Sequence, residues 1–84
     1  ILIYPNPASN KITIDLSNNP EFSDIRIFNS LGMEVYKYEN TQLLYKEKIE
    51  ISTAELAIGM YYLTLNDKGN RITKSFVVMR WFFT

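Results

Sequence analysis

The stretch Ile51 to Leu65, ISTAELAIGMYYLTL, limits the possible folds more than any other part of the chain. It starts in a strand end, passes through Ser52-Thr53-Ala54-Glu55 and leaves at Gly59. It then continues as a strand in which Tyr61, Leu63 and Leu65 alternate with Met60, Tyr62 and Thr64. Ser52 and Glu55 have the capping-box spacing, in which the serine oxygen accepts from the third backbone N–H of the turn, and this predicts one short helical turn near residues 53–57. Leu56, Gly59 and Tyr61 have the spacing of a tyrosine corner, whose ring packs inward while its hydroxyl bonds to upstream backbone. The stretch is therefore expected to carry the chain from one sheet to another.

The remaining segments supply the strands. Ile1 to Tyr4 is a short apolar run, and Pro5-Asn6-Pro7 then removes two backbone donors, so pairing must stop or change sheet there. Lys11 to Ser17 alternates with Ile12, Ile14 and Leu16 on one face. After an Asn18-Asn19-Pro20 turn, Asp24 to Asn29 places Ile25 and Ile27 inward. Asn29-Ser30-Leu31-Gly32 is a hairpin turn in which Gly32 supplies positive φ, and Met33 to Tyr38 returns with Val35 facing in. Glu39 to Lys48 is expected to be a loop anchored by Leu43, Leu44 or Tyr45, and Lys48 to Ser52 a strand with Ile49 and Ile51 inward. Asn66 to Asn70 is a four- or five-residue hairpin loop, and Arg71 to Met79 returns with Ile72, Phe76 and Val78 on one side. Lys74 falls on that same side. Either it snorkels, or a bulge between Ile72 and Phe76 turns it outward.

About seven short strands with turns between them and almost no helix predict an all-β fold: an immunoglobulin-like antiparallel β-sandwich, with a small barrel as the alternative. At 84 residues the chain is a single domain burying roughly 60–65% of its extended surface. It is expected to be part of a longer protein.

Composition excludes several kinds of chemistry. Nine Lys or Arg balance nine Asp or Glu, leaving no field to attract nucleic acid. With no histidine, neither a Ser-His-Asp nor a Cys-His constellation can be assembled from this chain, and with no cysteine there is no thiolate zinc site or disulfide framework. The carboxylates are scattered without calcium-loop spacing. Lys74-Ser75 makes a poor dyad because neighbouring strand residues point to opposite faces. Tyr36, Tyr38, Tyr45 and Tyr62 suggest a sugar-binding platform, but strand tyrosines more often form cross-strand packing pairs. No catalytic residue, metal ligand or cofactor site is expected.

Four blocks in order, YPNPAS (Tyr4 to Ser9), DIRIFNSLGMEV (Asp24 to Val35), ISTAELAIGMYYLTL (Ile51 to Leu65) and ITKSFVVMR (Ile72 to Arg80), span nearly the whole chain. Together they resemble the type A C-terminal sorting domain of the type IX (Por) secretion system of Bacteroidota. The resemblance implies a non-catalytic signal over residues 1–80 that targets a fused N-terminal cargo across the outer membrane. It implies transit through the periplasm, then a cell-surface or secreted destination, with type IX translocation and sortase components as partners. The family's motif residues fall on Pro5, Asn6, Pro7, Leu31, Gly32, Gly59 and Tyr61, and on Lys74 with Arg80 in the last strand.

Lys74, Phe76, Val77, Val78 and Arg80 form the candidate recognition strand, an edge open to strand addition. Trp81-Phe82-Phe83-Thr84 departs from the family pattern and is treated as a separate apolar tail. The last strand and Trp81 to Phe83 offer a route to self-association. The competing functional readings are an accessory sandwich module that binds glycan or protein beside a catalytic domain, and a structural spacer.

Overall fold

The computed structural model describes residues 1–16, 22–39, 47–67 and 69–80. Among them run β1 (Leu2–Tyr4), β2 (Lys11–Asp15), β3 (Asp24–Asn29), β4 (Glu34–Glu39), β5 (Lys48–Ser52), β6 (Gly59–Asp67) and β7 (Asn70–Val78). They form two sheets, ordered β1-β2-β5 and β4-β3-β6-β7, and every strand pair is antiparallel. The chain crosses between sheets after β2, β4 and β5. This is the immunoglobulin-like arrangement, with three strands facing a C′-C-F-G layer.

Alternation places the core. In the three-stranded sheet Ile12 pairs with Ile51 and Ile14 with Ile49, so four isoleucines make one continuous inward surface. β-branched side chains suit such a pleated face because their χ1 is already restricted. Opposite them, Ile25 pairs with Leu65, Ile27 with Leu63 and Tyr61 with Phe76. Ala8, Leu16, Phe22 and Val78 complete the buried apolar set among the described residues. Each fully buried side chain of this size contributes about 1.5–3 kcal/mol before ordering entropy is charged against it.

Local structure departs from expectation at three places and decides between two alternatives at a fourth. Residues 53–57 form a hydrogen-bonded turn and not a helical one. Leu56 N–H donates to Thr53 C=O (3.0 Å), and Ser52 Oγ accepts from Ala54 N–H (3.4 Å), one residue earlier than in a capping box. Arg80 donates to the carbonyls of Ala54 and Leu56, and also to that of Thr53, which it shares with Leu56 N–H.

Val35 does not face in. The β3–β4 register shifts between Ile27↔Tyr36 and Phe28↔Glu34, leaving Val35 as the extra residue of a bulge; it is exposed, while Tyr36 and Tyr38 pack against the core. The β6–β7 hairpin is tighter than expected, with Asp67 paired to Asn70 and Gly69 at φ +87°. Of the two alternatives for Lys74, snorkelling and a bulge, the second is ruled out: the β6–β7 register runs unbroken from Gly59↔Val78 to Asp67↔Asn70. Lys74 lies opposite Leu63 and is exposed, because β7 is the margin of its sheet and the ammonium reaches water past it.

The Asn18-Asn19-Pro20 turn, the anchors Leu43, Leu44 and Tyr45, and the tail from Trp81 to Thr84 lie outside the described residues.

Candidate functional site

The candidate recognition strand is β7, an edge whose only ladder neighbour among the described residues is β6. Its two ends differ. At the C-terminal end Phe76 and Val78 are buried, and the Phe76 ring stacks on Tyr61 at a centroid distance of 5.7 Å and 22° between planes. These two positions therefore belong to the core. Val77 turns its backbone outward, where its N–H donates to Asn6 Oδ1 (3.1 Å) and its C=O accepts from Ala8 N–H (2.7 Å). Met79 N–H in turn donates to Ala8 C=O (2.8 Å), and Ala8 forms a parallel bridge with Val78. The margin of β7 is thus covered from Val77 to Met79.

This contact explains the Pro5-Asn6-Pro7 segment. Two prolines stop β1 and carry the chain across to the other sheet, and neither has an N–H to offer a neighbouring strand. The Asn6 carboxamide supplies an acceptor in their place. The first and last family-like blocks are therefore in direct contact.

Arg80 turns its guanidinium onto the corner, where backbone carbonyls accept its N–H groups. Nη1 donates to Leu56 C=O (2.7 Å), and Nη2 donates to Thr53 C=O (2.6 Å) and Ala54 C=O (3.0 Å). Thr53, with 0% exposure, connects this turn to the chain's beginning: its N–H donates to Asn10 C=O (2.8 Å) and its hydroxyl to Ser9 C=O (3.2 Å). Tyr61, 5% exposed, donates its hydroxyl to Ala57 C=O (2.6 Å) and so makes the expected tyrosine corner. Gly59 enters β6 at φ +156°, a conformation that side chains disfavour.

In the β3–β4 turn Gly32 has φ +84°, and Asn29 Oδ1 accepts from Leu31 N–H (2.9 Å) and Met33 N–H (3.0 Å). Leu31 is 81% exposed at the tip and adds nothing to the core.

The N-terminal half of β7 is open. Lys74 and Arg71 are exposed, and among the described residues neither forms an ion pair. On β4, the opposite margin of the same sheet, Lys37 pairs with Glu39 (2.7 Å) and Glu34 with Arg26 (3.5 Å), so charge is locally balanced there. Tyr36 and Tyr38 face the interior and Tyr62 the outer face, so they form no common platform; Tyr45 lies outside the described residues. Burial, together with the neighbouring Tyr38, pushes the Tyr36 hydroxyl above its usual pKa of 10.0. Among the described residues no group of three carboxylate, histidine or cysteine side chains is placed to hold a metal ion.

Sequence reasoning found Tyr61, Gly32 and Gly59, but missed Thr53, Ala8 and the carbonyl clasp of Arg80. A threonine inside a capping-box pattern looks like a surface residue, and nothing in the sequence indicates that residues 9, 53 and 80 meet. The one available signal was Asn6, the only side chain between the two prolines able to accept a hydrogen bond.

Comparison with known proteins gives three matches. Residues 2–79 match the family model described as secretion system C-terminal sorting domain. Beta-agarase A of Zobellia galactanivorans is 33% identical over 70 residues, which cover 83% of this chain and 12% of that protein. The chain therefore spans about an eighth of the length of this relative. The solved structure of the CBM51-2 and INT domains of Clostridium perfringens ZmpB is similar at a TM-score of 0.56 and 15% identity, covering 86% of this chain and 19% of that one, a likeness of fold alone.

Proposed function

The chain belongs to the family of secretion system C-terminal sorting domains, and from that premise we propose that it directs a cargo, fused on its N-terminal side, through the periplasm to the type IX outer-membrane apparatus. As a member of this family it is a C-terminal sorting signal for the type IX system, which implies export to the cell surface or release from the cell. The family is non-catalytic in itself. In our reading this chain is likewise not an enzyme, and a sortase removes it at the surface after export.

The match across residues 2–79 carries this reading. The geometry supports recognition of a folded domain over recognition of a linear tail. Phe76, Val78 and Arg80 are committed to the core and the corner, so the sequence of the last strand is presented only as the fold displays it. The glycan-binding alternative receives no support from the tyrosines, since Tyr36 and Tyr38 pack inward.

A fusion experiment tests the reading. A fluorescent reporter with an inner-membrane signal peptide at its start and the 84-residue chain at its end is expected to reach the medium or cell surface of a type IX-competent host. It should remain periplasmic in the same host lacking the translocon. Equal retention in both hosts would overturn the proposal.

A further inference from the structure

Residue parity along β7 determines which backbone groups face outward. Val77 directs its N–H and C=O away from β6, toward Asn6 and Ala8. Strand groups repeat every two residues, so Ser75, Thr73 and Arg71 direct theirs to the same side. No described residue bonds to those outward groups. Three donors and three acceptors therefore line an open margin, ending where the Asn6–Ala8 segment begins.

The other margins are less suited to pairing. β1 has three residues, β4 is bent by the Val35 bulge and carries paired charge, and β5 is a five-residue strand with lysine and glutamate both exposed. β7 has nine residues. It also has a charge of one sign: from Asn70 to Arg80 there are three basic residues and no carboxylate. Arg80 is consumed by the corner, which leaves Arg71 on the outer face of the sheet and Lys74 on the inner side of the margin. A second copy of this strand would bring like charges together, which disfavours self-pairing.

We propose that the open margin of β7 from Arg71 to Ser75 is a docking surface for an extended, acidic segment of another polypeptide, which adds to the sheet as a fifth strand. Backbone pairing supplies the hold, and carboxylates opposite Arg71 and Lys74 supply register and charge selection. The proposal rests on the sorting-signal reading, since it names what that signal presents to its receptor.

The reporter fusion in a type IX-competent host provides the test, with two variants. T73P removes an N–H that β6 does not use and places a ring where the added strand would lie. R71E combined with K74E reverses the charge of two exposed side chains and touches no core residue. Folding of each variant is checked by thermal melting of the fused chain. The unaltered fusion is expected to be exported, and each folded variant to be exported about tenfold less, the factor for about 1.4 kcal/mol of lost binding. Export of a folded T73P within about twofold of the unaltered chain overturns strand addition, and the same result for the charge reversal overturns the acidic partner. If T73P does not fold, the charge reversal decides. An unaltered fusion that stays in the periplasm instead refutes the sorting-signal reading, which separates the two failures.

Discussion

The Arg80 guanidinium donates to the Thr53 carbonyl at 2.6 Å, so a residue two positions past the end of β7 holds a turn 27 positions upstream. The same fork reaches Ala54 and Leu56. Hydrogen bonds from a charged donor contribute about 1.5–3 kcal/mol each when buried, and less in this half-exposed setting. R80A is expected to lower stability by about 2 kcal/mol, or ~8–16 °C in melting temperature for a domain of this size. R80K keeps the charge but not the planar fork, and should recover less than half of the loss. Urea unfolding of the three chains checks the order. Equal stability of R80A and the unaltered chain would show that the clasp contributes nothing.

Tyr61 combines a ring stacked on Phe76 with a hydroxyl bonded to Ala57 C=O. Y61F leaves the ring in place and strands a carbonyl, which should cost about 1–1.5 kcal/mol. Y61A also empties part of the core and should cost about 3–5 kcal/mol, enough to unfold a marginal domain. Calorimetry separates the two. A loss in Y61F as large as that in Y61A would mean that the hydroxyl, and not the ring, holds the corner.

Asn6 accepts from Val77 N–H through its side chain. N6A frees that donor, whereas N6D retains an acceptor in the same place. Amide exchange at Val77 is therefore expected to speed up by about tenfold in N6A, corresponding to about 1.4 kcal/mol of local opening, and to change little in N6D. Exchange at Leu63, in the middle of β6, should be unaffected in both and serves as the internal control.

The parts of the fold legible in the sequence were those with a local signature. Ile12 and Ile14, Ile25 and Ile27, and Leu63 and Leu65 show their inward face through alternation alone, and Tyr61 shows its role through its spacing from Gly59. Val35 was misplaced because a bulge is a property of two strands together: Tyr36 and Tyr38 take the inward phase only once β4 is paired to β3. The clasp at Arg80 was invisible for a related reason. Its acceptors are backbone carbonyls, which every residue has, so side-chain identity carries no hint of them. The candidate site was half legible: β7 was recognised as an edge, but of the residues singled out only Lys74 falls in its open part, because Asn6 and Ala8 cover the margin from Val77 onward. Deleting Phe76 to Arg80 would consequently remove core and clasp together, and loss of export would then report unfolding.

Tyr36 gives the fold a dependence on alkaline pH. Its hydroxyl is raised above 10.0, first by burial and then by the neighbouring Tyr38. In the unfolded chain it ionises near its ordinary value, so above that pH the folded state binds more protons than the unfolded state and stability falls as pH rises. Its contribution is complete below about pH 10 and is lost as pH climbs through the raised value. Lysines titrate in the same range, so the difference between the unaltered chain and Y36F isolates the effect. The unaltered chain is expected to lose melting temperature more steeply than Y36F between about pH 9.5 and 11, with parallel curves from about pH 7 to 9. Curves that stay parallel throughout would mean that Tyr36 ionises as freely in the folded sandwich as in the open chain.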